Sequence, residues 1–268
     1  MEGTMQTVTK VTRQRRKGRY NIYLDDEYAF AVDEKILITY NLFKGATLDE
    51  AAIEQIKSAE FSQKAYTRAL IYATGQMRTR QQVYLKLKEQ GYDQQIIKDV
   101  ISRLKEDHVL DDVTYAETYV DQAKSAGKLG PRGVKFKLQQ AGIDQFVIED
   151  ALAAYTITDQ VDALAERVGH LLEKNARHST FLAEQKTQQK LLQQGFDQRL
   201  IQQAISEYRA TETPDADQEW ENLDRDATIA ANRYASFEGW EFKNKLKAAM
   251  YRKGYDLNLV DQWLKQRD

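Results

Sequence analysis

Apolar positions recur along this chain in one phrase used four times. Gly91, Gly142, Gly195 and Gly254 are each followed by an apolar residue (Tyr92, Ile143, Phe196, Tyr255) and then by an aspartate (Asp93, Asp144, Asp197, Asp256). Five and six positions after each glycine stand Ile96-Ile97, Val147-Ile148, Leu200-Ile201 and Leu259-Val260. Nine and ten positions after it stand Val100-Ile101, Ala151-Leu152, Ala204-Ile205 and Trp263-Leu264. Apolar pairs four apart form the stripe of a helix with one buried face. Glycine just past a helix adopts the left-handed conformation that closes the helix end, and aspartate accepts hydrogen bonds from the free amides of the next helix. Each phrase therefore predicts a helix stop, an apolar staple and a helix start. The glycines recur at intervals of 51, 53 and 59 residues. That period indicates repeats, each a single supersecondary element burying its face against itself and its neighbours.

The first 57 residues follow a different rhythm. Thr7 to Thr12, Tyr20 to Leu24 and Tyr28 to Val32 alternate with period two around the acidic turn Asp25-Asp26-Glu27, which predicts a hairpin plus a third strand. Asp33 caps a helix over Lys35 to Phe43 that Gly45 stops, and Thr47 with Glu50 forms a capping box for a short helix ending at Lys57. The repeats then divide the chain at 58–106, 107–156, 157–210 and 211–268. In the first, the opening helix carries Tyr66, Ala69, Leu70 and Ala73, and Thr79 with Gln82 starts a second helix bearing Val83, Leu85 and Leu87. In the second, Asp111-Asp112 open a helix and Gly130-Pro131 the next, because proline suits a first helical turn. The third has helices near 158–174 and 180–194, the latter more polar. The last begins with seven acidic residues against one cation over 211–226, with Pro214 inside, so its start, 211–218, reads as a linker. The fold class is mainly α: tandem three-helix, helix-turn-helix-like repeats in an elongated curved array, with a small N-terminal domain containing a β-hairpin.

Charge changes this picture little. Charged residues make up 30% of the chain, but the net charge is −2, so bulk charge points to no acidic partner. Cysteine is absent, which removes disulfides, thiolate metal sites and cysteine catalysis together. The N-terminus has no apolar signal core and no run approaches the roughly 20 apolar residues of a membrane span. A soluble cytoplasmic protein is expected, and without a coiled-coil seam, a monomer.

No catalytic constellation stands out, and the chain is expected to be no enzyme, with no cofactor and no metal. His170 and His178 lack a third ligand at zinc-binding spacing, so solvent-facing histidines are the simpler reading. Asp107, Asp111 and Asp112 are explained by helix capping. Arg13 to Arg19 holds five cations in seven residues. Such a run could grip phosphate, but charge runs ordinarily face water and the plainer reading is a solvated hairpin loop. The remaining candidate is a surface. The second helices and the turns before them carry Arg78, Arg80, Lys86 and Lys88, then Lys128, Arg132, Lys135 and Lys137, then Lys243, Lys245 and Lys247. Many fall opposite the apolar stripe, so stacked repeats would align them into a basic side for an acidic partner or a nucleic-acid backbone.

Ala69-Leu70-x-Tyr72, Arg78-Thr79-Arg80, Leu85-x-Leu87-x-x-x-Gly91-Tyr92, Asp111-Asp112-x-x-Tyr115-Ala116 and Lys128 through Gly130 leading to Leu138-x-x-x-Gly142-Ile143 occur in this order. In these motifs the chain resembles the RecX family, the regulators of the RecA recombinase, well over 66–152 and more loosely beyond. It departs from the family pattern at Gln76 and Gln81-Gln82. The leading strands and the extra repeat look like the longer versions of the family. The resemblance implies a non-enzymatic protein that lies in the groove of a RecA–DNA filament and limits recombinase, ATPase and coprotease activity in DNA repair and the SOS response. The alternative class is a direct, non-specific DNA-binding helical protein, since short elbows between helices also build helix-turn-helix modules.

Overall fold

The computed structural model describes residues 5–213 and 215–267. Among these the chain forms four strands and thirteen helices. It divides into two compact units, one running to Tyr115 and including Ala141–Ile143, the other made of Ala116–Gln140 and the chain from Asp144 onward.

In the first unit β1 (Gln6–Arg13), β2 (Arg19–Leu24), β3 (Glu27–Asp33) and β4 (Thr47–Leu48) form one antiparallel sheet in the order β3-β2-β1-β4. The β2–β3 turn places Asp25 and Asp26 at φ +47° and +68°, a tight turn that short polar side chains tolerate. Val8, Ile22, Leu24 and Val32 point to one side and are buried against Ile36, Leu37, Ile53 and Ile56. Two helix expectations need correction here. α1 spans only Glu34–Thr39, because Asn41 turns left-handed at φ +48° before Gly45 is reached. Thr47 is no cap but a strand residue paired with β1; Asp49 caps the following helix by accepting the amide of Ala52 at 2.7 Å. That helix, α2, does not end at Lys57 but runs Glu50–Gly75, because no glycine or proline interrupts it. It serves the sheet through Ile53 and Ile56, and a three-helix bundle through Ala65, Ala69 and Ala73. The bundle is completed by α3 (Arg80–Glu89) and α4 (Gln94–Glu106), with Val83, Leu87, Ile97, Val100 and Leu104 inside.

The second unit takes up α5 (Asp112–Ala126) from Ala116 and continues with α6 (Pro131–Gln140), α7 (Gln145–Leu152), α8 (Ile157–Lys174), α9 (Thr180–Gln193) and α10 (Gln198–Thr211). It ends with α11 (Ala216–Arg233), α12 (Gly239–Arg252) and α13 (Leu257–Lys265). The linker read over 211–218 is shorter than that: α10 runs to Thr211 and α11 starts at Ala216, capped by Asp215. Pro214, on which that expectation partly rests, lies outside the described residues. The acids here are used rather than merely solvated. Asp224 accepts from the Trp263 indole at 2.7 Å, and Asp226 accepts from the Tyr255 hydroxyl at 2.9 Å and pairs with Lys253 at 3.0 Å.

The four elbows share one geometry. Gly91, Gly142, Gly195 and Gly254 have φ between +78° and +86°. At three of them the glycine amide bonds back three residues and the next amide five, as in Gly91 to Lys88 at 3.0 Å and Tyr92 to Leu87 at 3.2 Å. The staples Tyr92, Ile143, Phe196 and Tyr255 are all buried, and the four aspartates cap α4, α7, α10 and α13 through side-chain oxygens. Four residues before the glycines stand Leu87, Leu138, Leu191 and Met250, and six after them Ile97, Ile148, Ile201 and Val260, all at most 1% exposed. Each such side chain contributes about 1.5–3 kcal/mol of burial, so a pair per elbow fixes the angle between two short helices.

The last three elbows also dock onto the start of the second helix of the preceding repeat. The Thr79 hydroxyl donates to the Ala141 carbonyl at 2.6 Å, the Gly130 amide to the Gln194 carbonyl at 2.9 Å, and the Ser179 hydroxyl to the Lys253 carbonyl. In every case the acceptor is the residue before the elbow glycine and the donor is the residue before a helix. A second clamp accompanies the first and third docks. Asp112 accepts the Arg80 amide at 3.0 Å, and Glu219 accepts the Thr180 amide at 2.9 Å, each carboxylate sitting on the positive end of a helix. At the middle dock the corresponding residue is Pro131, which has no amide hydrogen to satisfy.

Candidate partner-binding surface

The second helices of the repeats are α3, α6, α9 and α12, and the basic residues singled out in the sequence lie on three of them or in the turns before them. Their surroundings sort them into two groups. Arg78 is half-buried, with its guanidinium 4.4 Å from the Tyr72 ring centroid. Arg80 is the first residue of α3, and its Nε donates to Asp112 at 2.7 Å while Asp112 is itself buried. Arg80 is thus the counter-ion of a buried carboxylate before it is a surface cation, and removing it would leave that charge uncompensated. Lys86 pairs with Glu89 at 2.8 Å, Lys135 with Glu149 at 3.6 Å, Lys245 with Glu241 at 3.6 Å and Lys247 with Asp261. Hydrogen bonding to Glu89 raises the Lys86 pKa and lowers that of Glu89, both on the exposed surface where such pairs matter little to stability. Lys243 is half-buried.

Four residues remain open to a partner. Lys88 is exposed, 6.0 Å from the Tyr84 ring centroid. Lys128 and Lys137 are exposed and, among the described residues, enter no ion pair. Arg132 is 75% exposed and reaches Asp197 only at 3.8 Å. Outside the closer pairs, Lys88 is left on α3, and Lys128, Arg132 and Lys137 on α6 with the turn preceding it.

The sequence reading missed what stands beside these cations. Leu85 is 53% exposed on α3, Phe136 is 57% exposed on α6, and Trp240 is 80% exposed on α12, where Tyr251 is exposed as well. Of the three apolar residues that the sequence gives this helix, Val83 and Leu87 are buried and Leu85 is not. The signal was available: Leu85 and Phe136 both stand six residues before their elbow glycines, between the core positions at eight and four, and so on the opposite face of a 3.6-residue helix. Each is a single apolar side chain exposed on a helix that also carries exposed lysines, Lys88 on α3 and Lys137 on α6.

Two tyrosine hydroxyls are shifted by burial and by partners within the fold. The Tyr255 hydroxyl is pushed far up, by burial and then by its hydrogen bond to Asp226, so it stays a proton donor. Tyr66 is raised by burial and by its bond to Asp107. Among the described residues no cluster of His, Asp and Glu is arranged to hold a metal ion, and no helix is long and apolar enough to cross a membrane.

Comparison with known proteins agrees with the N-terminal sheet and the first two three-helix repeats. Residues 6–49 match the regulatory protein RecX N-terminal domain, 65–104 the RecX first three-helix domain and 111–152 the RecX second three-helix domain. The regulatory protein RecX of Limosilactobacillus reuteri (strain DSM 20016) is 36% identical over 264 residues, covering 98% of this chain and 99% of that protein. The RecX of Leuconostoc citreum (strain KM20) is 37% identical over 257 residues, covering 96% of each. A crystal structure of regulatory protein RecX superposes with a TM-score of 0.65 at 35% identity, over 75% of this chain and 99% of the other. The crystal structure of RecX from Lactobacillus salivarius gives 0.51 at 32% identity, over 57% of this chain and 99% of the other. Relatives this similar over nearly the whole length establish that the chain belongs to the RecX family of regulatory proteins.

Proposed function

We propose that this protein is a non-enzymatic cytoplasmic regulator that binds the RecA–DNA filament and mostly inhibits its recombinase, ATPase and coprotease activities in DNA repair and the SOS response. The observation that carries the reading is the exposed face of the second helices, where an apolar side chain stands beside a cation without a close partner: Leu85 with Lys88 on α3, Phe136 with Lys137 on α6. The apolar residue supplies desolvated contact area and the lysine meets acidic groups at its rim. Membership of the RecX family supports RecA as the partner. Co-sedimentation with RecA filaments on single-stranded DNA tests the face. The triple variant Lys88→Glu, Lys128→Glu, Lys137→Glu keeps its helical spectrum and binds at least about fivefold more weakly, each lost contact being worth about 0.5–1 kcal/mol. Unchanged binding by the folded variant overturns the assignment of this face.

A further inference from the structure

The β1–β2 loop and α2 enclose an open cavity of about 340 Å³ in the first unit, lined by Arg16, Lys17, Arg19, Lys64 and Arg68 with Asp33 as its one carboxylate. The loop was read from the sequence as solvated, and Arg13 and Arg15 are indeed exposed. Arg19 is not: it opens β2 and forms an ion pair with Glu60, whose side chain is only 6% exposed. Glu60 also accepts the Asp33 amide at 2.7 Å, so its charge is spent within the fold, and Lys64 sees it only at 3.7 Å. Asp33 in turn caps α1 through the Lys35 amide at 3.0 Å. Arg68 gives one nitrogen to the Tyr92 hydroxyl at 3.0 Å, which orients the guanidinium and leaves its other donors available. The buried Glu60 thus holds Arg19 and the β3 end in place, while Arg16, Lys17, Lys64 and Arg68 converge with Arg19 on one cavity whose cations outnumber its two neighbouring acids, Asp33 and Glu60.

We propose that this cavity binds the phosphodiester backbone of a nucleic acid. Two arginines and two lysines around one opening suit the oxygens of phosphate, which arginine grips through paired donors and lysine as a point charge. No aromatic side chain lines the cavity, so it offers a base no stacking platform and reads backbone rather than sequence. Its size admits one phosphate with its flanking sugars, and its openness toward solvent lets a chain enter and leave. The proposal is independent of filament binding, because it concerns this unit and bare nucleic acid alone.

The test is fluorescence anisotropy of a labelled single-stranded oligothymidylate titrated with the full chain over a range of salt. The variant Arg16→Glu, Lys17→Glu alters two exposed loop residues away from any core, and Lys64→Glu alters the opposite wall. Each is expected to bind at least tenfold more weakly at low salt, and the double variant, which removes two phosphate contacts, to lose about 1.4 units of the log K against log salt slope. Lys98→Glu, an exposed cation on α4 outside the cavity, is expected to bind within about twofold of the unaltered protein. Polyphosphate is expected to displace the oligonucleotide at far lower concentration than polyglutamate of equal charge. Equal loss in Lys98→Glu and the cavity variants, equal competition by polyglutamate, or no binding by the unaltered chain would each overturn the proposal.

Discussion

The Thr79 hydroxyl and the Ala141 carbonyl, 62 positions apart in sequence, meet in a buried hydrogen bond of 2.6 Å. The same hydroxyl oxygen accepts the Gln82 amide at 3.2 Å and so caps α3. One side chain therefore ends one helix correctly and holds the elbow of another. Replacing it by valine removes a cap and strands a buried carbonyl, a combined cost of about 2–4 kcal/mol. Replacement by serine keeps both bonds and costs less than about 1 kcal/mol. Urea denaturation of the two variants checks this, and equal midpoints would contradict it.

Glycine at the elbows is needed for two separable reasons. A Cβ on Gly91 meets open space, so Gly91→Ala bears only the left-handed backbone, about 1 kcal/mol. A Cβ on Gly195 collides with the backbone of Gly133, against which the elbow docks. Gly195→Ala is therefore expected to cost at least about twice as much, the excess being overpacking of backbone against backbone. Denaturant midpoints of the two single variants give the comparison directly.

Repeat three contains a flaw whose repair is predictable. Eight residues before the elbow glycine the other repeats place Val83, Val134 and Leu246, all fully buried, whereas α9 places Thr187, equally buried and with a hydroxyl that finds no partner. Thr187→Val keeps the shape and removes the stranded hydroxyl, so it should stabilise the protein by about 1 kcal/mol. A lower melting temperature in the variant would contradict the core position assigned to Thr187.

His178 makes stability respond to pH. Burial, and next the Lys186 ammonium 2.7 Å from its Nε2, hold its pKa below the ordinary 6.5; Arg225 and Lys253 act in the same direction and Asp226 against them. The depressed value means that the unfolded chain binds the proton first. The stabilising contribution is complete above pH 6.5 and is lost as pH falls below it. Carboxylates of ordinary pKa, about 4, remain ionised at about pH 5.5, which separates this effect from acid unfolding. The fall in urea midpoint between pH 7.5 and about 5.5 should be smaller in His178→Gln than in the unaltered protein.

The elbows and their helices were legible because their signals are local: glycine, staple and aspartate act on neighbouring backbone, and the apolar stripe is a property of one helix. What escaped was set by partners far away in sequence. Asp111 and Asp112 both read as caps, yet Asp111 caps its own helix through the Val113 and Thr114 amides while Asp112 caps α3 of the preceding repeat. The linker read over 211–218 ends early, at α11, because charge density hides the buried Leu223 and Asn222 on that helix, and Asn222 is satisfied by the Ala176 and His178 carbonyls. β4 is two residues long and exists only because β1 lies beside it. On the candidate surface the cation positions were visible, but pairing decides which are available, and pairing is a property of the fold.

Regulation of RecA is tested most directly by one measurement. ATP hydrolysis by the cognate RecA on single-stranded DNA is followed while this protein is added after filaments have formed, at substoichiometric ratios. A progressive fall in hydrolysis that is weakened in the Lys88→Glu, Lys128→Glu, Lys137→Glu variant is the predicted result. An unchanged rate at ratios that saturate bare DNA would contradict the account.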